Sequence, residues 1–235
     1  MPTPFTHLAL AEEILRDGDL IPAARRLLTA QRGPFLLGNT APDVQTVSGQ
    51  PRHTTHFYRI PPTGERPAYE TLFATHPALA RAADLPPAQA AFVAGYIAHL
   101  LLDEMWLFAI FRRYFLGDWA PRPERHFVHN VLRTWLDRQD QAQLDGDIGG
   151  TLRRVEPHAW LPFVGDEYLR AWRDWLAEQL EPGHESQTAA VFARRMGRSP
   201  EEMEAVLRSP ALMDERVFGR VPPATLDAFR REGRE

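Results

Sequence analysis

The amino-acid sequence predicts an all-α protein that forms one compact multi-helix bundle over residues 1–235. Apolar residues recur with helical spacing through most of the chain. Prolines and glycines separate the helical segments, and the sequence has no alternating strand pattern of useful length and no internal repeat. Hydrophobic residues make up 44% of the chain and charged residues 25%, as in an ordinary globular protein with a substantial core.

Two short helices are predicted at the N-terminal end of the chain. The first runs from His7 to about residue 16, with Thr3 or Thr6 as its cap. The second covers about 22–31, because a proline at its start suits the first helical turn. His7 is therefore expected in the first turn of the first helix.

The stretch 32–67 is predicted to be a long irregular loop, because its density of proline and glycine rules out a continuous helix. Loops of this length are uncommon in compact domains and are usually functional or disordered. The apolar residues in this stretch argue against disorder, which indicates that other groups hold it in place. It carries three candidate ligands: Asp43, His53 and His56.

A long apolar helix predicted over about 87–116 is the element around which the chain is organised. His99 and Asp103 interrupt its apolar run and lie one turn apart on the same face. An imidazole and a carboxylate in this arrangement on a core helix often hold a buried metal ion. The alternative for these two residues alone is a core histidine paired with Asp103. Gly95, one turn before His99, leaves room for a close neighbour.

The same helix is long enough to raise the question of a membrane span. Asp103 and Glu104 lie near its middle, and each charge at a bilayer centre costs about 2.5–3.5 kcal/mol on insertion scales. We therefore expect a buried core helix and no transmembrane segment. The first residues show no basic region followed by an apolar run, so a cytoplasmic location is expected.

Helices are predicted for most of the remaining chain. One covers about 68–83, and another covers about 124–144 and carries His126 and His129. Residues 145–150, with the sequence DGDIGG, are predicted to break the chain. Further helices are predicted at about 151–159, 165–181, 186–196, 200–208 and 222–232. We interpret the two histidines as a surface pair; the alternative is that they contribute to a metal site.

Composition removes several classes of chemistry. The chain has no cysteine and no lysine, which excludes disulfides, thiolate nucleophiles, zinc–thiolate sites and lysine Schiff bases. Its formal net charge of −4 gives no cationic field for broad nucleic-acid binding. No phosphate-binding glycine loop, dinucleotide fingerprint or nucleophile elbow occurs. Catalysis would therefore depend on histidine, carboxylate, serine, arginine or a cofactor.

Four segments of the N-terminal half resemble the zinc-dependent phospholipase C family, whose superfamily includes secreted single-strand nucleases and 3′-nucleotidases. The segments are THLALAEEIL at 6–15, FLLGNTAPDV at 35–44, RHTTHF at 52–57 and FVAGYIAHLLLDEMW at 92–106. The resemblance covers about residues 1–115 and rests on the order of these segments and on the His-x-x-x-Asp helix. The helical half 120–235 is not assigned by it.

The resemblance implies a helical bundle with metal ions at the bottom of a cleft. His7 would bind one zinc ion, and another ion would be surrounded by Asp43, His56, His99 and Asp103. Asp103 and Asp43 would bridge the ions, and Asp43 would position or deprotonate the attacking water.

The chemistry of this set agrees with the resemblance. Three histidines and two carboxylates suit zinc, or manganese or iron, better than calcium or magnesium. We prefer His56 to His53 as the ligand from the RHTTHF segment, because His56 directly precedes the aromatic pair at 57–58, as the family's ligand commonly does.

The chain departs from the secreted relatives at three places. It begins with Met-Pro, where they have a mature N-terminal tryptophan that binds metal. Ala109 stands where they have a further histidine. Asn130 and Arg133 stand four residues after His126 and His129, where they have a carboxylate. These departures favour one or two metal ions over three.

The expected function is that of a zinc-dependent phosphoric ester hydrolase, in which metal-bound hydroxide attacks a phosphodiester or phosphomonoester. The expected substrate is a small phosphate ester or a phospholipid headgroup. The first alternative is a non-catalytic helical binding or scaffold protein, in which a structural metal site attaches the loop 32–67 to the bundle. The second is a metal-free core in which the same polar groups form a hydrogen-bonded network.

Overall fold

A computed structural model describes residues 1–60, 66–144 and 147–234 of the chain. All regular structure in these ranges is helical, and no strand occurs among them, which confirms the all-α prediction. Part of the predicted loop, 61–65, and part of the predicted break, 145–146, lie outside the described residues.

The helices follow one another along the chain. Their bounds are α1 Pro4–Arg16, α2 Pro22–Ala30, α3 Arg32–Gly38, α4 Gln45–Ser48, α5 Arg52–His56, α6 Ala68–Thr75, α7 Pro87–Trp106, α8 Arg112–Phe115, α9 Arg122–Gln143, α10 Ile148–Arg153, α11 Asp166–Gln179, α12 Thr188–Met196, α13 Pro200–Leu207, α14 Pro210–Met213 and α15 Pro223–Glu232. Single 3₁₀ turns cover Ala41–Val44, Pro77–Leu79 and Ala82–Asp84, and π turns cover Leu107–Phe111 and Asp214–Phe218.

The stretch 32–67 differs from its prediction. No continuous helix spans it, as expected, but most of its described residues lie in short helical segments and not in irregular loop. Proline stands in the first turn of the 3₁₀ segment Ala41–Val44, and Gly49 ends α4 with a positive φ of 71°. Proline starts a helical turn readily and glycine ends one. The many prolines and glycines therefore divide this stretch into several short helices.

Three further bounds differ from prediction. The helix expected over 68–83 ends at Thr75, where two 3₁₀ turns take over. The helix expected over 151–159 is instead α10, which begins at Ile148 because Asp147 caps it by accepting a hydrogen bond from the Gly150 amide. The segment 210–218 was not predicted and is helical.

The central helix α7 continues through the π turn into α8, close to the predicted span. The continuous run Pro87–Phe115 has the length and apolar composition to cross a membrane. More than half of its most apolar 18-residue stretch is buried inside the protein, as in the core helix of a globular domain. The expectation of a cytoplasmic location stays a prediction.

α3 crosses α7 with almost no space between the two backbones. A methyl group at Gly95 would clash with the carbonyl oxygen of Phe35, and one at Gly38 would clash with the carbonyl oxygen of Phe92. The close neighbour expected beside Gly95 is therefore the backbone of α3. This contact brings the residues that follow α3 next to His99.

The core consists of two clusters of buried apolar residues. The first joins α1, α3 and the N-terminal part of α7 to α10 and α11, and includes Phe92 and Trp172. The second joins the C-terminal part of α7 to α9, α12, α13 and α15, and includes Trp106 and Phe229. Both halves of the chain therefore contribute to both clusters.

Candidate metal centre

Five polar side chains from four elements meet between α1 and α7. α1 contributes His7, the 3₁₀ turn contributes Asp43, α5 contributes His56, and α7 contributes His99 and Asp103. Four of them are at most 1% exposed, whereas the side chain of Asp43 is 21% exposed. The cluster thus lies in the interior and opens towards solvent at one carboxylate.

The cluster contains two groups of three residues that could each hold a metal ion. Within each group, the potential ligand atoms all lie within 4.8 Å of one another. One group consists of His7, His99 and Asp103, and the other consists of Asp43, His56 and His99. His99 belongs to both groups, and its ring stacks on that of His7 with 3.7 Å between centroids. The two groups are therefore neighbours that share one imidazole.

Asp103 lies at the centre of the cluster. Its Oδ1 atom is 3.5 Å from Nε2 of His7, and its Oδ2 atom is 3.5 Å from Nε2 of His56 and 3.8 Å from Nε2 of His99. His56 Nε2 is also 3.5 Å from Oδ1 of Asp43. These separations exceed the usual length of a direct hydrogen bond. The groups face one another without pairing.

Backbone carbonyls fix the orientation of two of the imidazoles. Nδ1 of His99 donates to the carbonyl oxygen of Asn39 at 2.8 Å, and Nδ1 of His56 contacts the carbonyl oxygen of Arg52 at 3.3 Å. A carbonyl can only accept, so in neutral His99 Nδ1 carries the proton and Nε2 keeps its lone pair. Nδ1 of His56 also lies 3.1 Å from the Thr55 hydroxyl, which can donate or accept. Metal-binding histidines are commonly oriented through the second nitrogen in this way.

Several buried atoms of the cluster have no hydrogen-bond partner. These atoms are Nδ1 and Nε2 of His7, Nε2 of His56, Nε2 of His99 and Oδ1 of Asp103. Buried polar atoms nearly always have partners, because leaving one unpaired costs about 1–3 kcal/mol. Convergence of these unpaired nitrogen and oxygen atoms in one place fits a bound cation, and none of them takes part in a hydrogen bond among the described residues.

The protonation states of these groups also suit a cation. Burial lowers the pKa of His7 to about 4, with the adjacent His99 adding to the effect. Burial likewise lowers the pKa of His56 and of His99. Burial alone would raise the pKa of Asp103, but the adjacent imidazoles and Arg52 hold it well below its usual range. At neutral pH the set is three neutral imidazoles and a carboxylate, the forms that bind metal.

Arg52 and Tyr58 complete the surroundings of Asp103, and sequence reasoning did not assign them to the site. Arg52 donates to Asp103 Oδ2 at 2.6 Å and to the Tyr58 hydroxyl at 2.8 Å, and that hydroxyl donates to the same Oδ2 at 3.1 Å. The only available signal was position, because Arg52 stands one helical turn before His56 on α5. Its contact with Asp103, 51 residues away, depends on the fold.

The remaining histidines that were candidates lie apart from the cluster. His53 is exposed on α5, whereas His56 on the same helix is fully buried. His126 is exposed on α9, but His129 is buried at 2% exposure. The interpretation of both as a surface pair is therefore wrong for His129, because Trp106 donates to its Nε2 at 3.0 Å and the ring of Phe115 covers it.

Buried histidine and aspartate groups at these positions could thus hold a metal ion. Nitrogen and carboxylate ligands suit zinc, manganese or iron more than calcium or magnesium, and the geometry does not select one of the three. Comparison of the chain with protein-family models, with curated proteins and with solved structures finds no match.

Proposed function

We propose that the protein is a metal-dependent hydrolase of phosphoric esters. The supporting observation is the cluster of unpaired lone-pair donors from His7, His56, His99 and Asp103, next to a carboxylate that is open to solvent. The resemblance of residues 1–115 to the zinc-dependent phospholipase C family supplies the reaction class, which the geometry alone does not specify.

In this proposal one or two divalent ions, zinc or else manganese or iron, are bound by His7, Asp43, His56, His99 and Asp103. A bound ion of this kind lowers the pKa of water and neutralises charge on a phosphoryl group. The protein's own contribution is to keep the imidazoles neutral and oriented, through the Asn39 carbonyl for His99 and through burial for His7.

Asp43 has the role of positioning a water or accepting its proton. It is the most exposed of the five side chains in the cluster. Among these five, Asp43 is therefore the one that contacts both the other ligands and solvent. Burial alone would raise the pKa of Asp43, but the contact with His56 and the interaction with His99 lower it below its usual range. An ionised carboxylate at neutral pH can accept a proton or a hydrogen bond from water.

The first test is metal content, measured by mass spectrometry on untagged wild-type protein and on Asp103→Ala. We expect one or two equivalents of zinc, manganese or iron in the wild type and almost none in the variant. Absence of metal in the wild type, together with no stabilisation when divalent ions are added, would refute the proposal.

The second test is turnover of chromogenic phosphate monoesters and diesters by metal-loaded wild type and Asp43→Asn. A catalytic Asp43 predicts a loss of kcat of at least about a hundredfold, the low end for a lost general base, with little change in melting temperature. His53→Ala, on the same short helix as His56, is the control, because that side chain is exposed and belongs to neither group of potential ligands.

A structural metal site without catalysis is the second candidate, and a specific contact favours it. Arg52 and Tyr58, both from the 41–58 region, contact Asp103 of α7 directly. The cluster therefore also fastens this region to the central helix. If Asp43→Asn lowers the melting temperature and no ester is turned over by the wild type, the structural role is the correct one.

A further inference from the structure

A cavity of about 850 Å³ lies outside the metal centre, beside α8 and the N-terminal half of α9. Its volume is within the range of about 300–1,000 Å³ typical of small-molecule sites. None of the five side chains of the metal centre lines it. The cavity therefore requires a separate explanation.

The titratable side chains that line the cavity are all bases. They are Arg112, Arg122, Arg125, Arg133, Arg198, His126 and His129, and no described aspartate or glutamate is among the lining residues. Arg125 and Arg198 contact Asp118 and Glu124. Arg112, Arg122 and Arg133 contact no carboxylate within the described parts of the chain. Three guanidinium groups are thus available to an anion.

Arg133 is the most unusual of these arginines. Its Nε atom is buried without a hydrogen-bond partner, and its only described hydrogen bond goes to the side chain of Asn130 at 2.9 Å. Burial lowers its pKa to about 10, so it remains charged at neutral pH. The charges of Asp43 and Asp103 act on Arg133 from a distance, but no described carboxylate contacts it. A buried cation without a contacting counter-charge is stabilised by a bound anion.

His129 adds a neutral donor on the same wall. Trp106 donates to its Nε2, and burial holds the pKa of His129 well below its usual value, so the neutral ring carries its proton on Nδ1. That N–H has no described partner. Donors without matching acceptors again indicate an anionic or oxygen-rich ligand group.

The rest of the wall is apolar. It includes Ile60, Leu107, Phe111, Phe115 and Leu116. The side chains of Ile60 and Leu116 are among the large apolar groups exposed on the surface, at 42% and 47%. Exposed apolar residues that border a cationic cavity favour a ligand with an apolar body and a charged head.

We propose that this cavity binds an anionic amphiphile, that is, a single alkyl chain ending in a carboxylate or phosphate group. The head contacts Arg133, Arg112 and His129 Nδ1, and the chain lies against Phe111, Phe115 and Leu116. The absence of lining carboxylates disfavours a cationic head. This proposal does not depend on the proposed hydrolase function, because no ligand of the metal centre takes part.

The test is isothermal titration of the full-length protein, treated with chelator, against four probes below their micelle-forming concentrations. Dodecanoate and dodecyl phosphate carry the two anionic heads, whereas dodecanol and dodecyltrimethylammonium are the neutral and cationic controls. We expect saturable binding of at least one anionic probe near one equivalent, and much weaker binding of both controls. Absence of saturable binding of either anion to the chelator-treated protein, or equal binding of the cationic probe, would overturn the proposal.

Variants place the ligand in the cavity. Arg112 and Arg113 are adjacent and exposed, and each guanidinium lies over an aromatic ring, but only Arg112 lines the cavity. We expect roughly tenfold weaker anion binding in Arg133→Gln, a smaller loss in Arg112→Gln and no change in Arg113→Gln. Equal affinities for the Arg112 and Arg113 variants would contradict the assignment, and this comparison stands even if Arg133→Gln fails to fold.

Discussion

Asp103 is the residue on which the candidate centre depends. A carboxylate with two oxygens receives Arg52 and Tyr58 on one oxygen and leaves the other unpaired towards His7. Burying it without partners would raise its pKa and neutralise it. Its surroundings keep it ionised in the interior. An ionised carboxylate whose Oδ1 atom has no hydrogen-bond partner can bind a cation.

His56 and His53 offer a matched pair of variants on one short helix. We expect His56→Ala to weaken zinc binding by at least about tenfold, because it removes a ligand nitrogen aimed at both aspartates. His53→Ala should leave the affinity unchanged, because its side chain is exposed. Competition with a chelating dye measures both dissociation constants. Equal effects of the two substitutions would show that α5 does not provide its ligand through His56.

The buried His129 should give the protein a dependence of stability on pH. Its pKa is lowered in the folded state by burial and by the nearby cationic groups, so the unfolded state binds more protons below about pH 6.5. The free energy of unfolding should therefore fall as pH decreases through that region, by up to about 1.4 kcal/mol per pH unit for one group.

His129→Gln should flatten that part of the profile, measured by urea unfolding of metal-free protein between neutral and mildly acidic pH. His158→Gln is the control, because that side chain is exposed. If the wild type and His129→Gln profiles run parallel, protonation of His129 is not linked to folding.

Residue-level reasoning from the sequence selected five groups that also lie together in the structure, but it gave no information on the residues around them. Helical spacing placed His99 and Asp103 on one face, and the structure has them there with Nε2 and Oδ2 3.8 Å apart. The same spacing grouped His126 with His129 and could not tell that Trp106 and Phe115 cover one of them. Contacts made across long chain separations, such as that of Arg52 with Asp103, leave no local pattern.

At the scale of elements, the crossing of α3 over α7 positions the centre. Two glycines, one from each helix, allow the backbones to touch, and the chain leaving α3 then presents the Asn39 carbonyl to His99. Tyr96, on the turn of α7 before His99, donates to the carbonyl of Thr55 and so attaches α5 to the same helix. The ligand-bearing segments are therefore fixed by contacts with one helix.

Gly95→Ala should test this crossing. Alanine raises helix propensity by about 1 kcal/mol over glycine, but here its methyl group meets backbone atoms of Phe35 and Asn39, which cannot rotate away. We expect a net loss of at least about 1 kcal/mol in unfolding free energy and weaker metal binding, since His99 would shift. Denaturant unfolding and metal titration measure the two effects.

Gly18→Ala is the control for that substitution, because no atom lies within 4 Å of the added methyl group. Its effect should stay within about 0.5 kcal/mol. A Gly95 variant as stable as the wild type would mean that α3 can move away from α7 without cost.

Prediction of elements succeeded where the hydrophobic period was long. α1, α7, α9 and α11 were located to within a few residues, because several turns of apolar spacing average out local irregularity. The region 32–60 contributes Asp43 and His56 to the cluster, as expected, but it forms a set of short helices that was not predicted. Segments of four to seven residues are too short for periodicity, and tertiary packing stabilises them here.

At the scale of the whole molecule, α1 links the two apolar clusters. Leu8 belongs to the first cluster and Leu10 to the second. His7, which directly precedes Leu8 on the same helix, belongs to the metal centre. The C-terminal half, which the family resemblance leaves unassigned, supplies Leu152 and Trp172 to the first cluster. A ligand that ties His7 to α7 should therefore stabilise the protein as one unit.

Added zinc should raise the melting temperature of chelator-treated protein in a single transition. At a free concentration about a hundredfold above the dissociation constant, binding to the native state alone adds about 2.7 kcal/mol, which for a chain of this size corresponds to roughly 5–10 °C. Asp103→Asn keeps the shape of the side chain but removes the central charge, so its melting temperature should barely respond. Scanning calorimetry with and without zinc measures both shifts. Two separate transitions, of which only one moves, would mean that the metal centre and the C-terminal helices unfold independently, and an equal shift in Asp103→Asn would mean that zinc binds elsewhere.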